Sequence, residues 1–82
     1  MHDEQLLGRI TCDSGIMLGK PVIRGTRLSV EHILNLLAHG SPASEILAEY
    51  DGLAQEDILA CLLFASQALS TTFFMPLEPK SA

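Results

Sequence analysis

Residues 29–69, "SVEHILNLLAHGSPASEILAEYDGLAQEDILACLLFASQAL", decide the fold, because apolar residues recur there at helical spacing between turn signals. The first set of apolar residues lies at i, i+3, i+4 and i+7, which places them on one helix face: Val30, Ile33, Leu34 and Leu37. Ser29 is suited to cap this helix and Gly40 to end it. The pattern therefore predicts a first helix that begins at about residue 30.

Two more helices are predicted after this one. In the second helix, Ser41 is expected to be the cap and Pro42 the first helical residue. The backbone N–H at the first helical position has no partner within the helix, so its absence in proline costs nothing there. Its apolar face is formed by Ala43, Ile46, Leu47 and Tyr50. The third helix is predicted from about Ala54 to Leu69, after the turn signal "DG" at 51–52. Three helices joined by tight turns predict a mainly α fold, a homeodomain-like or helix-turn-helix bundle.

The segment ahead of the helices, "GKPVIRGTRLSV" at residues 19–30, has a different character. Pro21 favours extended backbone for itself and for the residue before it. Gly25 indicates a bend that needs a positive φ. We therefore predict one or two short β-strands within residues 8–28, followed by the three-helix bundle at 29–70 and a tail at 71–82, in a single domain 1–82. The apolar tail sequence "FFMPL" at 73–77 fits two alternatives, binding a partner or folding back over the helices.

Positive charge is concentrated in this N-terminal segment. The chain carries a net charge of −5, yet the part before residue 28 holds four of its five basic residues: Arg9, Lys20, Arg24 and Arg27. No Lys or Arg occurs from residue 28 to residue 79, where seven acidic residues lie. These four cations are the candidate contacts for phosphate or an acidic partner, because Arg and Lys bind both. The alternative is that Arg24 and Arg27 pair with the acidic helices of the same chain or of its dimer mate.

Nothing in the sequence predicts an enzyme, a cofactor site or a metal site. His32 and His39 lie seven residues apart, whereas a metal pair on a helix is more often i, i+4, and no third ligand is evident. Cys12 and Cys61 form no metal-binding or disulfide framework, which favours reduced thiols in a cytoplasmic protein. The longest apolar run, at 58–65, is much shorter than the about 20 residues that a membrane span needs, so no membrane contact is expected.

The middle of the third helix is apolar on nearly every side. A surface helix shows one apolar stripe, so this helix is expected to be covered by more than its two short neighbours. We therefore predict a homodimer, the commonest oligomer. The predicted interface consists of Ile58, Leu59, Leu62, Leu63 and Phe64.

The block "GKPVIRGTRLSVEHILNLLAHG-SPASEILAEYDGLAQEDILACLLFA" resembles the bacterial family catalogued as domain of unknown function 433. That family's pattern is similar to G-K-P-x-I-x-G-T-R, a helix ending in Gly, and "EIL..Y..L..EDI..AL.YA". The resemblance implies a homeodomain-like three-helix fold after short strands. It also implies the antitoxin role in a VapB-like pair with a PIN-like nuclease toxin. This chain departs from the pattern at Ala54, where a capping Ser or Thr is frequent, and at Cys61–Leu62.

The functional hypothesis is accordingly an antitoxin-like transcriptional regulator, with a PIN-like toxin and its own operator DNA as partners. The third helix begins with Glu56 and Asp57 and carries no basic residue. It is therefore poorly suited to bind DNA, because its carboxylates would repel the phosphates. The basic N-terminal segment is the better candidate. The alternative is a non-enzymatic interaction or structural module without a nucleic-acid role, which the acidic helices favour.

Overall fold

A computed structural model describes residues 2–70 of the chain. A short helix α1 (Asp3–Leu7) is followed by two strands, β1 (Ile10–Cys12) and β2 (Pro21–Ile23). Three longer helices follow: α2 (Val30–Ala38), α3 (Ala43–Glu49) and α4 (Gln55–Ser70). The predicted mainly α architecture with short strands ahead of three helices is therefore confirmed.

The two strands form an antiparallel hairpin in which Ile10 lies opposite Ile23. Its connection contains a single 3-10 turn at Met17–Gly19, where Met17 and Leu18 have φ values of 52° and 58°. Left-handed backbone of this kind is unfavourable for residues with a side chain. Leu18 is also 94% exposed. The tip of the hairpin is thus apolar, strained and in solvent.

Local signals set the ends of α2 as predicted. The Ser29 hydroxyl accepts a hydrogen bond from the His32 N–H at 2.9 Å, and Gly40 follows the helix with a φ of 95°. The predicted start of α3 is wrong by one residue. Pro42 has a ψ of 156°, which is extended, so it occupies the capping position without a side-chain cap and the helix begins at Ala43. Ser41 consequently lies outside the helix.

The core lies where the hairpin, α2, α3 and the first half of α4 meet. Its buried apolar residues are Ile10, Val22, Ile23, Val30, Ile33, Ile46, Ile58, Ala60 and Cys61. α1 packs on α4 beside the hairpin. Among residues 2–70, no helix combines the length and the apolar character required to traverse a lipid bilayer.

Candidate partner-binding surfaces

Arg9 is held by an ion pair inside the chain. Its Nη1 donates to Oδ1 of Asp57 at 3.0 Å, and the side chains are 35% and 9% exposed. This contact joins the start of β1 to the first turn of α4. The Arg9 guanidinium is therefore engaged in positioning two elements, and its charge is balanced by a carboxylate.

The same carboxylate caps α4. The second oxygen of Asp57, Oδ2, accepts a hydrogen bond from the Ala54 N–H at 2.9 Å. An acid three residues after the capping position supplies one half of a capping box, in which the side chain reaches back to the cap residue's backbone. Asp57 therefore supplies the acidic half of the capping box, and Ala54 has no side-chain oxygen for the other half. The sequence pattern predicts Asp57 only as a first-turn acid, although its spacing of three residues from Ala54 also indicates this contact.

Lys20 is paired as well, but at the surface. Its Nζ donates to Oε1 of Glu31 at 3.1 Å, and the two side chains are 56% and 75% exposed. Exposed pairs of this kind contribute at most about 1 kcal/mol. Lys20 can consequently leave Glu31 and bind another anion with only a small loss of free energy.

Arg24 and Arg27 have no carboxylate partner among the described residues. Arg24 donates from Nε to the Gly8 carbonyl at 2.9 Å, which holds the side chain against the end of α1 and leaves its charge uncompensated. The Arg27 side chain is exposed and forms no hydrogen bond or ion pair with residues 2–70. The predicted pairing of both arginines with acidic helices is therefore not found within residues 2–70 of one chain, and pairing with a dimer mate stays a prediction. We call Arg24 and Arg27 the turn arginines.

Gly25 shapes the turn between these two arginines. It has a φ of 82°, and a Cβ built on it would meet no atom within 4 Å. Glycine is therefore needed at position 25 for its left-handed backbone, and not because a side chain would collide with a neighbouring atom. We expect Gly25→Val to lower the free energy of unfolding by about 1–3 kcal/mol, because β-branched residues disfavour positive φ. Urea denaturation measures the loss.

Gly25→Asn is the matched control, since asparagine tolerates left-handed backbone, and it should cost less than half as much as Gly25→Val. Equal unfolding curves for Gly25→Val and the wild type would show that the turn does not depend on this backbone angle.

The predicted dimer residues do not all lie on one side of α4. Ile58 is 2% exposed and belongs to the chain's own core, so its place in the predicted interface is corrected. Leu59 and Leu62 are 42% and 46% exposed. Leu63 and Phe64 are half-buried, and Phe64 packs against the core. The helix therefore has an inward face and a separate outward apolar face.

An open groove of about 980 Å³ runs between α2 and the second half of α4. Its lining includes Val30, Leu34 and Ala38 from α2, and Phe64, Ala65 and Leu69 from α4. The Lys20–Glu31 pair also contributes to the lining. The second half of α4 thus has two apolar surfaces, one lining the groove and one facing outward. Leu69 lies at the border between them.

Cys61, His32 and His39 are the thiol and imidazole groups in or next to α2 and α4. Burial raises the pKa of the Cys61 thiol to about 11, with a smaller contribution from the charge of Asp57, so the thiol stays protonated at neutral pH. His32 and His39 are exposed and engage the Tyr50 hydroxyl and the Asn35 carbonyl, at 3.0 and 2.8 Å. No group of three or more possible metal ligands occurs in residues 2–70.

Comparison with known proteins places the chain in a family. Residues 10–65 match the family described as "Protein of unknown function (DUF433)". The chain is a member of the DUF433 family. A solved crystal structure of a DUF433 member protein from Anabaena variabilis ATCC 29413 is similar, with 31% sequence identity and a TM-score of 0.73. The alignment covers 82% of this chain but 66% of that one, slightly under two thirds. None of the curated proteins compared with the chain matches it.

The DUF433 match contains most of the charged site but not all of the molecule described above. It includes Lys20, the turn arginines and Asp57, and it begins one residue after Arg9. It stops at residue 65, whereas α4 continues to Ser70. The predicted family resemblance is confirmed, and the family's description carries no activity that could be transferred.

Proposed function

We propose that this DUF433 protein is a non-enzymatic regulator of the antitoxin type that acts in the cytoplasm. In this proposal it binds a PIN-like nuclease toxin and, through the turn arginines, its own operator DNA. One observation carries the DNA part: Arg24 and Arg27 are exposed within one turn and have no carboxylate partner in residues 2–70. Uncompensated guanidinium groups are suited to phosphate oxygens.

The distribution of acidic residues supports separate binding surfaces for the toxin and for the DNA. Glu45 and Glu49 are exposed on α3, and Asp51 is exposed directly after it. An acidic helical surface attracts a basic protein such as a nuclease, and it repels DNA. The turn arginines are set apart from these acids in sequence, on the connection between β2 and α2. DNA would therefore approach the hairpin side of the molecule.

The second candidate is a protein-interaction module with no nucleic-acid role. The pairing of Arg9 with Asp57 and of Lys20 with Glu31 favours it, because two of the four predicted DNA contacts already have anionic partners. The net charge of −5 favours it too. The two candidates differ in whether the turn arginines bind phosphate.

The test is binding of the full chain to the DNA upstream of its own gene at low salt. We expect the logarithm of the binding constant to fall with the logarithm of salt concentration, with a slope near −0.9 for each phosphate contacted, or about −2 per chain. The Arg24→Ala, Arg27→Ala double variant should bind about tenfold or more weakly. Its stability should be nearly unchanged, because both side chains are exposed.

The Arg24→Lys, Arg27→Lys variant is the matched control, since it keeps both charges and should retain most of the affinity. Wild-type protein that does not bind this DNA, or an alanine variant that binds like the wild type, would favour the interaction module. The toxin part is tested separately by co-purification from the native host and assay of the partner. A nuclease whose activity the chain suppresses supports the proposal, and absence of such an effect contradicts it.

A further inference from the structure

The outward face of α4 is an apolar surface that residues 2–70 leave uncovered. Its residues follow helical spacing at i, i+3, i+4, i+7 and i+10: Leu59, Leu62, Leu63, Ser66 and Leu69. Leu59, Leu62 and Leu69 are 42%, 46% and 64% exposed. Apart from Met17 and Leu18 at the hairpin tip, they are the exposed large apolar residues of the described chain. Three leucines gathered on one helix face indicate an interaction surface and not scattered exposure.

Charge decides what can cover this face. No residue from 58 to 70 carries a charge, so the whole face is neutral. Elsewhere the chain presents exposed acids, among them Glu31, Glu45 and Glu49. A two-fold interface brings a surface against itself, so an acidic surface would repel its own copy while a neutral apolar one would not. For a chain of net charge −5, the outward face of α4 is the surface best matched to another copy of the same chain.

We propose that the outward face of α4 is the two-fold interface of a homodimer. The two copies of α4 run antiparallel across the axis. This orientation separates the two helix starts, each of which carries Glu56 and Asp57, and it opposes the two helix dipoles. Ser66 lies near the middle of the face, where a small side chain lets the helices approach closely. This inference concerns the dimer alone and holds whether or not the chain binds DNA or a toxin.

The first test is the mass of the full chain in solution, by light scattering or sedimentation at micromolar concentration. We expect twice the 8.9 kDa of one chain. Leu62→Glu should weaken dimerisation about a hundredfold or more, because it buries a carboxylate in an apolar interface. The fold should survive, since Leu62 is 46% exposed in the single chain. Ser44→Glu adds the same charge to the exposed surface of α3, away from this face, and should leave the dimer intact.

The effect of salt concentration on the dimerisation constant is an independent prediction. The interface contains no ion pairs, and each chain carries a net negative charge, so screening removes repulsion without weakening any attraction. The dimer should therefore become tighter as salt concentration rises. Weaker dimerisation in salt would place charged contacts in the interface and would overturn the proposal.

A crosslinking test does not depend on a destabilising change. In a Cys12→Ser background, which removes the exposed thiol, Ser66→Cys treated with a short bis-maleimide should join two chains. Ser44→Cys, exposed on α3, should give no such product at the same concentration. Cys61 is buried and stays unreactive in both proteins.

Three outcomes would overturn the proposal. The wild type could remain a monomer throughout the micromolar range. A dimer could persist in Leu62→Glu while Ser66→Cys gave no crosslink, which would place the interface elsewhere. A monomer in which substitutions at Phe73 and Phe74 shift the NMR signals of the α4 face would assign the face to the chain's own residues 71–82.

Discussion

Replacement of Asp57 by alanine is expected to lower the free energy of unfolding by about 2–4 kcal/mol, measured by urea denaturation. Two interactions are lost together: the ion pair with Arg9 at 3.0 Å and the cap on the Ala54 N–H at 2.9 Å. A lost cap costs about 1 kcal/mol, and a hydrogen bond to a charged group contributes about 1.5–3 kcal/mol. Folded domains have only about 5–15 kcal/mol in total, so the variant should be markedly less stable.

Two control variants separate the contributions. Asp57→Asn keeps a side-chain oxygen for the cap and loses the charge, so it should cost less than Asp57→Ala. Arg9→Met removes the ion pair and retains the apolar stem of the side chain. The losses from Arg9→Met and Asp57→Asn should not add in the double variant, because both remove the same pair. An Asp57→Ala variant within about 0.5 kcal/mol of the wild type would contradict the dual role.

Replacement of Ile33 by alanine is expected to cost about 3–4 kcal/mol. Ile33 has 0% exposure at the centre of the core, on the face of α2 that packs toward the hairpin and α4. Removal of buried methyl and methylene groups loses their transfer free energy and leaves a cavity. The loss should appear as a lower urea midpoint with an unchanged denaturant slope.

Leu59→Ala removes a similar aliphatic volume and is the matched control. Since Leu59 is 42% exposed, the change should cost less than about 1 kcal/mol in the dilute, monomeric chain. At higher protein concentration the wild type should gain more stability than Leu59→Ala, because the dimer of the variant is weaker. Equal losses from Ile33→Ala and Leu59→Ala in the dilute chain would mean that the core is not centred where the structure places it.

Features that depend on neighbouring residues could be predicted from the sequence. The spacing of Val30, Ile33 and Leu37 specifies the inward face of α2, and the Ser29 cap lies directly before it. The need for positive φ at Gly25 follows from a bend between two short apolar segments. At Pro42 the local rule failed, because a proline is compatible with both the capping position and the first helical position. Only the backbone angle distinguishes the two.

Features that depend on distant residues could not be predicted in this way. Arg9 and Asp57 are 48 positions apart, and no local spacing connects them. The sequence shows that Arg9, Lys20, Arg24 and Arg27 are basic but not which of them meet carboxylates after folding. In the same way, the all-round apolar middle of α4 could not distinguish Ile58 from Leu59. Their roles separate only once the hairpin, α1 and α2 have covered one side of the helix.

The two contacts of Asp57 link the start of α4 to the docking of the hairpin. Asp57 is only three residues from Ala54, so this contact is local to the start of the helix. Here the capping carboxylate is also the partner of Arg9, which the hairpin brings to it. The first turn of α4 and the docking of β1 are therefore coupled steps. Hydrogen exchange at the Ala54 amide should consequently be faster in Arg9→Met than in the wild type, because the carboxylate that accepts from this amide has lost its second partner.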